Sequence, residues 1–217
     1  MTTQAATAHG HPSMEGMAPE VTTGLNRGMA GMVLFIASEI MLFGGLFAAY
    51  FYVVNQADGV WPPEGIEHTP GTFLGAILTV LLITSGFFGH MGIIALRSGN
   101  YGPVKTGNRN GLVFGIAMAI LLGTIFIAGQ AYEWLKLFDE GLTAKSGVYG
   151  STFFVMTGFH GAHVIAGLGM LFVVLVRAIW RDFTPHRHLF ADAAMLYWHF
   201  VDVVWVLLFT IIYVVNK

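Results

Sequence analysis

No cysteine occurs in this chain of 217 residues. Disulfides, thiolate metal sites, iron–sulfur clusters and cysteine nucleophiles are therefore excluded, and thiols say nothing about the redox compartment. Charge is scarce as well. Asp, Glu, Lys and Arg make up 10% of the residues, against roughly 25% in soluble domains. Ten Lys and Arg face twelve Asp and Glu, a formal charge of −2, so no basic footprint for nucleic acid exists. Internal repeats, a second domain, a nucleophile with its base, a phosphate-cradling loop and a nucleotide fingerprint are also missing. Apolar residues are plentiful, at 55% with a mean hydropathy of +0.69. That composition excludes a water-soluble globule, a disordered chain and a collagen-like one. An integral membrane protein remains.

A spanning helix needs about 20 mostly apolar residues. Five segments qualify, at 29–54, 73–96, 111–135, 151–176 and 193–215. The fold class expected is all-α, a polytopic bundle of five transmembrane helices. The segments between them are rich in turn formers or charge, as in DGVWPPEGIEHTPG (58–71), RSGNYGPVKTGNRN (97–110) and RDFTPHRH (181–188). Residues 1–24 lack Lys, Arg and an apolar run, and read as a flexible N-terminal tail rather than a signal peptide. The bundle occupies 25–217. Arg27, Arg97, Lys105, Arg109, Arg177, Arg181 and Arg187 fall on one side of the membrane, and Lys136, Lys145 and Lys217 on the other. The positive-inside rule then puts the N-terminus in the cytoplasm and the loop carrying Asp58, Glu64 and Glu67 outside.

Between helices in lipid, close backbone contact and polar contacts matter more than apolar burial. Small residues recur every fourth position in the third span (Gly111, Gly115, Ala119, Gly123) and the fourth (Gly158, Ala162, Ala166). The first span pairs Gly44 with Ala48 and Gly45 with Ala49. These rows read as packing faces.

The informative residues are polar ones at membrane depth. Glu39 lies ten residues into the first span, about 15 Å deep at 1.5 Å per residue. A carboxyl group there is either a hydrogen-bond partner for a neighbouring helix or part of a proton relay or lipid anchor, and both readings stay open. His160 and His163 lie three apart on the fourth span, as do His199 and Asp202 on the fifth. Counting inward from the helix ends puts Glu39, His163 and Asp202 at similar depth, where facing helices would gather them into one buried cluster. Glu133, near the outer end of the third span, is expected to find water or a capping partner. His90 reads as a core or interface histidine, while His9, His11, His186 and His188 carry little weight. A di-metal bundle site wants paired Glu-x-x-His motifs, and none occurs. Membrane haems usually take spaced His pairs on two helices, and those too are absent.

Several segments together resemble subunit III of the haem-copper oxidases, the cytochrome c oxidase family. They are FIASEIMLFGGLFAAYF (35–51), VWPPEGI (60–66), GQAYEW (129–134), SGVYGSTFFVMTGFHGAHVIAG (146–167) and YWHFVDVVW (197–205). The resemblance runs from about Leu25 to the C-terminus. It implies a non-catalytic core subunit of a proton-pumping terminal oxidase, with no cofactor of its own. Haem and copper would sit in partner subunits I and II, and cytochrome c would supply electrons to the complex. The family role is to pack against subunit I, bind phospholipid and sustain proton uptake. Glu39 matches the family's intramembrane glutamate, His160 and His163 its GFHGxHV histidines, His199 and Asp202 its YWHFVD pair, and Glu133 the acid of its QA-x-E segment.

Longer family members have seven helices, and the first two have no counterpart here. The short form with GLNRG (24–28) before the first span resembles bacterial versions, including actinobacterial ones, some of which join a cytochrome bc complex in a supercomplex. The setting implied is a bacterial cytoplasmic membrane. The alternatives are the equivalent subunit of a quinol oxidase and a pure assembly scaffold, with a free-standing transporter or haem cytochrome behind both.

Overall fold

The computed structural model describes residues 27–57, 61, 71–97, 110–180, 182–183 and 188–215. The tail 1–24, most of the acidic loop, and His9, His11 and His186 lie outside them. Five helices long and apolar enough to cross a membrane are present, and no strand occurs among the described residues. They are α1 (Arg27–Asn55), α2 (Thr72–Arg97), α3 (Asn110–Asp139), α4 (Gly147–Ile179) and α5 (Leu189–Phe209), the last continued by a π-helical turn, Thr210–Val215. Each helix overlaps an expected span and overshoots it at one end or both. Hydropathy marks what lies in hydrocarbon, whereas backbone hydrogen bonding continues through the interfacial turns. At 33 residues, α4 is about 50 Å long, well beyond a hydrocarbon core of about 30 Å.

Helices α2, α3, α4 and α5 pack in a ring, each against the next and α5 back against α2. The interior of the ring is aromatic. Trp198, Trp205, Phe126 and His160 are wholly buried, and Phe126 meets Trp205 edge-on at 4.7 Å between ring centroids. The indole N–H groups need acceptors in such a core. Trp205 donates to Thr79 Oγ1 at 2.9 Å and Trp198 to Ser85 Oγ at 3.0 Å. Ser85 in turn donates to the Ala119 carbonyl at 3.1 Å, so one chain of donors links α5, α2 and α3.

The α2–α3 seam is the tightest. A Cβ on Gly115 would stand 2.6 Å from the Phe88 carbonyl oxygen and 2.8 Å from Gly92 Cα, backbone atoms that cannot yield. The α3 row of small residues is therefore a true crossing face, met by Gly92 and Gly89 of α2. The other two rows behave differently. Gly158 touches Trp134, but Ala162 and Ala166 face outward, Ala162 beside a groove between α3 and α4. On α1, Gly44 and Gly45 meet nothing within 4 Å, and Ala48 and Ala49 are exposed. These rows do not serve as packing faces within the chain.

Helix α1 stands outside the ring, laid over α4 and α5. Of its residues only Phe43 and Tyr50 are buried. Trp61, in the following segment, donates to Tyr50 Oη at 3.2 Å and stacks edge-on against Tyr149 of α4. The whole outer surface carries large apolar side chains such as Leu34, Met41, Phe73, Phe172 and Val203, which is what a lipid-facing surface requires.

Candidate functional site

The attachment of α1 contains the polar pair that depth counting points to. Glu39 Oε2 lies 2.9 Å from His163 Nε2 of α4, and both side chains are largely buried, at 16% and 14% exposure. His163 Nδ1 lies 2.7 Å from the Phe159 carbonyl oxygen one turn back. That oxygen can only accept, so Nδ1 carries a proton, and the Nε2–Oε2 contact holds one more. Phe43 closes the pair edge-on to the imidazole. On the far side Tyr197 stacks on the same ring and donates to the His163 carbonyl at 3.3 Å.

Asp202 does not join this cluster. Phe200 of α5 faces α1 through Phe43, and Tyr197 through Phe35. At about 100° per residue, Asp202 points to the opposite side of α5 from Phe200. It sits instead against α2 at Gly86, where a Cβ would collide with its carboxylate, and pairs with His199 Nδ1 at 3.4 Å. His199 in turn lies beside His90 of α2, at 5.6 Å between ring centroids. His160 belongs to neither group. It is wholly buried between Phe126 and Trp205, and neither ring nitrogen has a hydrogen-bond partner among the described residues. Glu133 is not at a water-exposed helix end. It is buried, and Tyr213 donates to its Oε2 at 2.6 Å. The expected cluster of Glu39, His163 and Asp202 therefore divides, and the polar residues at membrane depth fall in four places: Glu39–His163, His160, Glu133–Tyr213, and Asp202–His199 with His90.

Sequence reading missed Ser85, Thr79 and Tyr213, the partners that satisfy two indoles and a carboxyl group. The signal for the first was present: Ser85, Gly86, Gly89 and Gly92 recur at spacings of three and four on α2. Gln130 was also missed. Its amide donates to the Thr157 carbonyl at 2.8 Å and ties α3 to α4.

No three His, Asp or Glu side chains gather as a metal-holding group among the described residues, and the His160 ring is walled by aromatics.

The sequence profile described as cytochrome c oxidase subunit III matches residues 5–217. The chain belongs to the cytochrome c oxidase subunit III family. A cytochrome c oxidase subunit 3 from Corynebacterium diphtheriae is 40% identical over 210 residues, covering 92% of this chain and 95% of the relative. A probable cytochrome c oxidase subunit 3 from Nocardia farcinica is 40% identical over 190 residues, covering 86% and 87%. A cytochrome c oxidase subunit 3 from Scyliorhinus canicula is 38% identical over 199 residues, 90% of this chain but 71% of the relative. Short and long members of the subunit III family both align, and membership makes this chain part of an oxidase assembly.

Proposed function

We propose that the chain is the third core subunit of an aa3-type cytochrome c oxidase, which reduces oxygen with electrons from cytochrome c and pumps protons. Its setting is a bacterial cytoplasmic membrane, with the N-terminus in the cytoplasm. The chain handles no electrons, and haem and copper belong to partner subunits I and II. It holds α1 and bound phospholipid at a fixed geometry beside subunit I and so keeps proton entry competent over many turnovers.

The observation that carries this reading is the Glu39–His163 contact at 2.9 Å. It is the polar tie at membrane depth on a helix that buries only Phe43 and Tyr50. A helix held so lightly is set in place by its polar bond and by what lies around it. An apolar groove lined by Gly31, Met32 and Phe35 of α1 and by Phe190 and Ala193 of α5 offers room for an acyl chain beside it.

The test is Glu39→Leu in the complete oxidase. The haem spectra stay unchanged and the initial rate is near normal, while activity decays sooner during sustained turnover. Loss of haem from the variant complex, or undiminished endurance, overturns the proposal.

A further inference from the structure

The polar group on the outer face of α2 and α5 calls for a covering partner. The Arg97–Asp192 ion pair, 3.0 Å across, joins the end of α2 to the start of α5. His90 lies seven residues before Arg97, and His199 seven residues after Asp192. Both imidazoles are therefore about 10 Å further into the membrane than the ion pair.

At that depth they are not enclosed. His90 is exposed, and the His199 side chain is 42% exposed. Other exposed polar groups within the spans satisfy themselves: Ser38, Thr84 and Thr124 each donate to a carbonyl of their own helix. The imidazole of His90 lies beside the ring of His199 and has no hydrogen bond among the described residues. Asp202, nine-tenths buried beneath them, pairs with His199, so the polar atoms open to the surface are those of the two imidazoles. Hydrocarbon supplies no donors or acceptors, so polar groups facing it are matched by neighbouring protein.

The surface around them suits a helix. Leu196 and Val203 flank His199 on α5, and Phe87 and Met91 flank His90 on α2. Phe87 and Met91 continue into an apolar groove that runs on to Phe114 of α3. The face is broad, apolar and polar at one level, as expected for two membrane proteins joined by hydrogen bonds within an apolar contact.

We infer that the α2–α5 face around His90, His199 and Asp202 is where this chain docks a transmembrane helix of a partner oxidase subunit. That helix presents an N–H or O–H donor at their level. The inference rests on the proposed place in an oxidase and adds which face makes the contact.

The experiment puts the photoreactive residue p-benzoylphenylalanine in place of Val203, on this face, or of Ile165, on α4. These positions are 60% and 58% exposed, so neither change disturbs the core. Membranes containing the whole complex are irradiated and the adducts identified by mass. The expected result is a polypeptide adduct with a haem-bearing oxidase subunit from position 203, and lipid adducts from 165. Lipid adducts alone at 203, or an adduct with a second copy of this chain, overturn the inference. A chain that never co-purifies with haem refutes the parent reading as well, so the two failures are distinguishable. The polar part is tested by His90→Leu, which removes a side chain with no hydrogen bond among the described residues. Recovery of the variant with the haem-bearing complex falls about threefold, the worth of one hydrogen bond between membrane helices. Unchanged recovery means that the imidazole does not bond the partner.

Discussion

Replacing Glu39 by Gln or by Leu separates the hydrogen bond from the carboxyl group that makes it. Because His163 Nδ1 donates to the Phe159 carbonyl, Nε2 either accepts from a protonated Glu39 or donates to its carboxylate. Glutamine reproduces the first arrangement, its amide N–H donating to the Nε2 lone pair. Leucine cannot, and leaves Nε2 unpaired beneath Phe43. A buried polar group left unpaired costs about 1–3 kcal/mol, while couplings between membrane helices average about 0.6 kcal/mol. The loss falls on the docking of α1, which has little other burial to spread it over. The equilibrium for α1 lifting from α4 therefore rises about threefold to a hundredfold in Glu39→Leu and less than about twofold in Glu39→Gln. With no cysteine in the chain, a single Leu46→Cys thiol, half-buried at the α1 contact, reports this as its rate of trapping by a methanethiosulfonate in detergent. A control thiol at Ile116, buried in the ring, stays protected. Equal trapping in the Leu and Gln chains, or a parallel rise at Ile116, refutes the reasoning.

The α2–α3 seam gives a second test. Gly115→Ala forces a Cβ against the backbone of Phe88 and Gly92 and lowers stability by about 1–3 kcal/mol, read as a lower thermal midpoint in detergent. Gly44→Ala, with nothing within 4 Å, is neutral or stabilising by up to about 1 kcal/mol through helix propensity. Ser85→Ala strands the Trp198 indole N–H in a dry core, so the same melt drops by the equivalent of about 1–3 kcal/mol. Tyr213→Phe removes the donor to Glu133 at a similar cost, and its melt separates from wild type unless another donor reaches the carboxyl group.

The spans were legible because lipid demands a run of about 20 apolar residues. Their ends were less so: α3 carries Lys136 and Asp139 in the last turn, which hydropathy counting discounts. The meeting of Glu39 and His163 could be suspected from depth, since both lie mid-span. Depth alone says nothing of rotation about a helix axis, which is why Asp202 seemed to belong with them and in fact faces α2. The same limit hid the difference between small-residue rows. Gly44 with Ala48 and Gly115 with Ala119 have the same spacing, yet only the second row meets another helix. The α2 row around Ser85 and Gly86 escaped because it mixes steps of three and four.

The 124 residues that separate Glu39 from His163 also set an order of events during synthesis. Helix α1 leaves the ribosome first, and at about 5–20 residues per second its acid waits roughly 6–25 s for its imidazole to be made. During that interval the nascent segment holds an unmatched carboxyl group. It gains its partner within the chain only when the fourth helix arrives.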